Sequence, residues 1–121
     1  MNAQTQALLE EGGVNVNDAL ERFMGSEALL ERFLKRFLQD ENLAALQTAL
    51  DAEQEETAIQ AAHALKGVSG NLSLTVLYDR VTAQLAQLRA GDLAGARQAM
   101  DGVREAAETA AKAIRAVYGE G

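Results

Sequence analysis

One histidine occurs in the chain, and the residues around it are an unusual choice for a helix. The stretch runs His63-Ala64-Leu65-Lys66-Gly67-Val68-Ser69-Gly70. Wound at 100° per residue, it places Glu56, Ile59, Lys66, Gly67 and Gly70 within about 60° of His63. Ala58, Ala61, Leu65, Val68, Ser69 and Leu72 fall on the opposite side, so the imidazole points away from its own helix's apolar stripe. A neutral imidazole is a nucleophile. Lys66, one turn on, favours the uncharged ring and attracts any anion placed on the ring nitrogen. Gly67 and Gly70 each cost a helix interior about 1 kcal/mol relative to alanine. What they provide is a bare strip along which a phosphoryl group or a second protein reaches His63 without meeting a Cβ. The ordinary alternative is a surface histidine beside a solvated lysine, with Gly70 at a fraying helix end. The combined cost of the two glycines, about 2 kcal/mol in a domain of marginal stability, weighs against it.

Other chemistry is excluded by composition. The absence of cysteine rules out a disulfide scaffold, a thiol nucleophile, a thiolate zinc site and an iron–sulfur cluster. Helical di-metal sites need Glu-x-x-His motifs, and Gln60 stands three residues before His63, so no metal site is expected. With a net charge of −7 and basic residues scattered singly, the chain is a poor partner for nucleic acid or an anionic membrane. The longest apolar run, Leu43-Ala44-Ala45-Leu46, is far too short to span a bilayer. The N-terminus lacks the basic start and long apolar stretch of a signal peptide, and the expected location is cytoplasmic.

Length fits one domain: 121 residues bury a single core without staples. No proline, few β-branched residues and abundant Ala, Leu, Glu, Gln and Arg predict an all-α fold. Breaks are expected at Gly12-Gly13, Gly25-Ser26, Leu50-Asp51, Asn71–Ser73 and Gly91-Asp92. Asn17 is expected to cap a brief helix through Phe23, and Ser26 a long one carrying Leu30, Phe33, Leu34, Phe37, Leu46 and Leu50. Asp51 with Gln54 resembles a capping box opening a third helix, which carries His63 to about Leu72. Leu74, Leu77, Val81, Leu85 and Leu88 mark a fourth, ended by Gly91 as a left-handed cap. Asp92 starts the last, with Leu93, Met100, Val103, Ala107, Ala110, Ile114 and Val117 on one face. Long helices with short connections predict an antiparallel up-down-up-down four-helix bundle, with a short N-terminal helix across one end.

The stretch from His63 to Leu72 closely resembles the signature of histidine-containing phosphotransfer (HPt) domains, His-x-Leu-Lys-Gly followed by small residues. Val14 to Gly25 is similar to that family's short leading helix, and the next segment to its Leu/Phe-rich second helix. The resemblance covers residues 13–118, leaving 1–12 as a tail or short helix and 119–121 as a C-terminal tail. It departs from the family pattern at Ser73, where a glycine is usual, which leaves Asn71 as an alternative left-handed helix end.

The resemblance implies that His63 accepts a phosphoryl group from one aspartyl phosphate and passes it to another aspartate. Lys66 would steady that group, Gly67 would leave access, Gly70 would extend the clearance, and Ile59 with the second helix would supply apolar contact. It implies receiver domains of response regulators as partners, or a hybrid sensor kinase carrying this module, and a monomer with no cofactor of its own. The Mg²⁺ would sit on the receiver. Such a domain is a phosphocarrier rather than an enzyme. The alternatives are an adaptor bundle binding a signalling partner through the same face, and the phosphoacceptor domain of a chemotaxis-type kinase.

Overall fold

A computed structural model describes residues 1–119. The expected tail residues Glu120 and Gly121 lie outside the described residues. The chain is all-α, with α1 (Ala3–Glu11), α2 (Val16–Arg22), α3 (Glu27–Phe37), α4 (Asn42–Asp51), α5 (Glu55–Asn71), α6 (Thr75–Arg89) and α7 (Leu93–Tyr118).

Short polar side chains open four of these helices. Asn2, Asn15, Ser26 and Asp92 accept from the backbone N–H groups of Thr5, Asp18, Leu29 and Gly95, satisfying donors that the first turn leaves free. Ser26 and Asp92 are the caps expected. The brief helix starts earlier than expected: Asn15 is its cap, and Asn17 lies within its first turn. Gly91 ends α6 with φ +79°, the left-handed geometry that glycine adopts without steric cost.

The long second helix is two helices. Leu38, Gln39 and Asp40 donate to carbonyls three residues back, which tightens and ends α3. The Asp40 carboxylate then accepts from the Asn42 backbone N–H at 3.1 Å and from its Nδ2 at 2.9 Å, competing with the helical ladder. Phe37, Leu46 and Leu50 stay buried on both sides of the break, so the apolar stripe runs on through it. The capping box is also corrected. Asp51 is the last residue of α4, and Gln54 is the N-cap of α5 without a side-chain capping bond. Glu53 takes φ +56° there, closing α4 with the paired bonds of Glu53 N–H to Leu50 and Gln54 N–H to Ala49.

Packing closes a bundle in which α4 lies on α5, α5 on α6, α6 on α7, and α7 on both α3 and α4. Leu30, Leu34, Leu46, Leu50, Leu65, Leu77, Leu85, Leu88, Met100 and Ile114 fill the interior. Each such burial contributes about 1.5–3 kcal/mol, so one or two leucines offset the propensity cost of both α5 glycines. Gln84 is fully buried between α6 and α7, its Nε2 donating to the Ala96 carbonyl at 3.0 Å. Residues 3–11 are a packed helix rather than a tail. Leu9 is buried, α1 lies on α7, and a Cβ at Gly12 would overlap that of Ala113.

The leading segment is also tied to the far end of α5. Val14 and Leu74 form an isolated antiparallel bridge, with Asn15 N–H to Ser73 C=O at 2.8 Å and Thr75 N–H to Gly13 C=O at 3.0 Å. Ser73 itself is the left-handed residue, at φ +55°, and Asn71 remains helical. The strain of a side chain in that region is offset by a hydrogen bond. The Ser73 hydroxyl donates to Asp18 Oδ2 at 2.5 Å, joining α2 to the α5–α6 corner.

Candidate functional site

Residues of α5 divide as the projection requires. Ala58, Ala61, Ala62, Leu65, Ser69 and Leu72 are buried, while His63 and Gly67 are exposed. Ser69 satisfies its buried hydroxyl by donating to the Lys66 carbonyl at 3.0 Å, which keeps the apolar side of the helix free of an orphaned donor. His63, Lys66, Gly67 and Gly70 line one open groove together with Asp18, Arg22, Asn71, Ser73, Thr75 and Tyr78. Ile59 is not in it. One turn before His63, it is half-buried and packs against the core, leaving only part of its surface free.

The two glycines have different surroundings. A Cβ on Gly67 would meet nothing within 4 Å, so the helix backbone there is open to an approaching molecule. A Cβ on Gly70 would lie 3.2 Å from Cε2 and 3.3 Å from Cδ2 of Tyr78. The projection of α5 alone leaves Gly70 facing outward, but α6 brings the Tyr78 ring onto it, so close packing within the bundle occupies that clearance. The same ring carries Lys66, whose Nζ stands 5.9 Å from its centroid in a cation–π contact. Tyr78 thus sets where the ammonium rests beside His63.

A second cation reaches the histidine from α6. Nη2 of Arg89, the last residue of that helix, lies 3.4 Å from His63 Nδ1, at the outer edge of hydrogen-bonding distance. Sequence reasoning missed this residue. A basic side chain in a last turn is explained locally by the helix dipole, and nothing near Arg89 in the chain points to His63, so only the tertiary fold reveals the contact. Asp18 and Arg22, paired at 3.1 Å, bring a further guanidinium to the groove. The Asp18 carboxyl is held below the usual carboxylate range, first by the Ser73 hydroxyl and then by Arg22. The groove is thus of mixed charge: Asp18 and Arg22 pair with each other in it, Lys66 lines it beside His63, and the Arg89 guanidinium reaches the ring from outside its lining, so cations flank the histidine where an anion would approach.

Alongside lies an apolar groove of about 500 Å³ lined by Phe23, Phe33, Phe37, Val68 and Leu72, with Arg22, Arg36, Asp40 and Asn71 at its polar margin. Phe23 and Phe33 pack with their rings tilted by 33° and centroids 5.3 Å apart, and the Arg36 guanidinium lies 5.4 Å from the Phe33 centroid. Arg22 and Asn71 belong to both grooves, so the charged and apolar surfaces are continuous. Among the described residues, no three His, Cys, Asp or Glu side chains converge to hold a metal ion, and no helix is long and apolar enough to cross a membrane.

Chemically, the arrangement offers one accessible imidazole, flanking cations and open backbone at Gly67, with no carboxylate within bonding distance of the ring among the described residues. Comparison with curated proteins and with solved structures gives no match. The family model for the Hpt domain matches residues 28–115, from the start of α3 to the last turn of α7. By that match, which takes in the whole of α5 and the greater part of the chain, this protein belongs to the Hpt domain family, the histidine phosphotransfer modules of phosphorelays.

Proposed function

We propose that His63 is the phosphoacceptor of a phosphocarrier, loaded from the aspartyl phosphate of one receiver domain and unloaded onto the aspartate of another. The observation that carries this reading is the exposed His63 beside the open backbone at Gly67. In the forward step a ring-nitrogen lone pair forms the N–P bond while the aspartyl O–P bond breaks, its electron pair leaving on the carboxylate. The ring's N–H proton passes to solvent. Lys66, and Arg89 once it turns from the ring, neutralise charge on the phosphoryl oxygens. Receivers bring the acidic pocket and Mg²⁺, so positioning and charge neutralisation are all that this chain supplies. The phenylalanine-lined groove supplies apolar docking area next to the site, and docking is transient because the partner leaves after each transfer. The domain acts as a monomer on the cytoplasmic side, alone or within a hybrid sensor kinase.

The test is intact-mass detection of an adduct after mixing the domain with phosphoramidate or with a phosphorylated receiver. A single acid-labile, base-stable adduct on the wild type and none on His63→Gln is the expected result. No adduct on a folded wild type, from either donor, would leave an adaptor bundle that binds its partner without chemistry.

A further inference from the structure

Arginine carries only hydrogen-bond donors, so a guanidinium facing Nδ1 at 3.4 Å is satisfied only where Nδ1 presents a lone pair. A neutral imidazole has one lone pair and one N–H, which places the ring proton on Nε2. We propose that Arg89 is a positioning residue for His63, selecting the Nε2–H tautomer in the free domain and withholding the ring's one nucleophilic lone pair until an anionic partner draws the guanidinium away. This rests on His63 being the phosphoacceptor and adds how that acceptor is kept between transfers.

In the free domain neither nitrogen is ready to react. Nε2 is protonated, and the Nδ1 lone pair faces a cation. Lys66 does not compete for Nδ1, because its ammonium rests over Tyr78. When the acidic pocket of a phosphorylated receiver arrives, the Arg89 guanidinium exchanges Nδ1 for phosphoryl or carboxylate oxygens, partners that bind it about twice as strongly as neutral acceptors. The exchange is cheap for an exposed side chain at a helix end. The lone pair is then free at Nδ1, or at Nε2 after water has carried the ring proton across. It forms the N–P bond as the aspartyl O–P bond breaks onto the carboxylate, and the remaining ring proton is lost to solvent. The phosphorylated ring again presents one bare lone pair, on the nitrogen that did not react.

Because His63 is the one histidine of the chain, a two-bond proton–nitrogen correlation spectrum of the isotope-labelled domain shows a single imidazole pattern. At a pH where the ring is neutral, the wild type is expected to show protonated Nε2 and bare Nδ1. In Arg89→Ala the Nδ1–H share should rise about threefold, which is about 0.7 kcal/mol at 1.36 kcal/mol per tenfold change. No phosphoryl transfer enters this readout, so its failure is distinguishable from failure of His63 as acceptor. With a phosphorylated receiver, whose anionic groups displace Arg89 by themselves, Arg89→Ala should load no faster than the wild type. A wild-type ring dominated by Nδ1–H, or a tautomer ratio unchanged in Arg89→Ala, overturns the proposal.

Discussion

Replacing Gly67 by alanine should move stability and function in opposite directions. Gly67 lies inside α5, exposed, and an added Cβ would meet no heavy atom within 4 Å. The methyl therefore introduces no clash in the free domain and recovers the helix propensity that glycine forfeits, about 0.8–1 kcal/mol. For a chain of this size that raises the melting temperature by roughly 3–5 °C. Against a partner fitted to the bare strip, the same methyl is an overpacked group costing about 1–3 kcal/mol, a loss of roughly 5- to 150-fold in docking. Thermal unfolding followed by circular dichroism reads the first effect, and the rate of loading from a phosphorylated receiver reads the second. Loading by phosphoramidate serves as the control, because so small a donor needs little clearance. A variant that is more stable, loads normally from phosphoramidate and loads slowly from the receiver is the expected result. Receiver loading within twofold of wild type would refute the idea that Gly67 clears space for a partner. A fall in melting temperature would refute the open surroundings assigned to it.

Gly70→Ala should recover less than about half of the stability gained at Gly67, because its Cβ meets the Tyr78 ring at 3.2 Å and the ring must shift; equal melting gains for the two variants would contradict this packing. Lys66→Ala should slow loading of His63 and leave the circular dichroism spectrum unchanged, and unaltered transfer rates with a receiver would remove the role given to that ammonium. Ser73→Ala keeps a side chain at φ +55° and deletes only the hydroxyl that lowers the Asp18 carboxyl. A carboxyl lowered in the folded state stabilises above the ordinary carboxylate range and stops doing so as pH falls through its depressed value. The variant should therefore lag behind wild type in urea unfolding at about pH 6 and approach it at about pH 2.5, and a gap that does not depend on pH would assign the loss to something other than Asp18.

The helical class, the Ser26 and Asp92 caps, the Gly91 terminus and the buried face of α5 were legible in the sequence, because each depends on residues within a turn or two of one another. The break between α3 and α4 was hidden by its own packing: Phe37, Leu46 and Leu50 keep one apolar stripe across it, and Asp40 two residues before Asn42 was the local sign. Asp51 and Gln54 have the spacing of a capping box, yet the chain closes α4 through Glu53 instead, a choice between two local hydrogen-bond patterns that spacing does not decide. Within the candidate site, His63, Lys66 and Gly67 could be read from one helix. Arg89, Tyr78 and Asp18 could not, since each arrives from another helix and their side chains carry no periodic signal. The contact of Gly70 with the Tyr78 ring was hidden for the same reason, because a projection of α5 contains no α6.

The Ser73–Asp18 bond and the bridge beside it join residues far apart in the chain, 55 positions in the case of the bond itself. As the polypeptide is synthesised, α2 emerges before α5 and has no corner to lock onto until α5 and the start of α6 have followed it. Long-range closures of this kind come late in folding, because their loop entropy has to be met before the contact rewards it. The last turn of the histidine-bearing helix is thus completed by a segment that precedes it in the chain, and it takes its final shape only after most of the bundle has gathered. Lesions in residues 13–18, remote in sequence from His63, should consequently show themselves as slow maturation of phosphoryl acceptance during refolding, even where the finished fold is native.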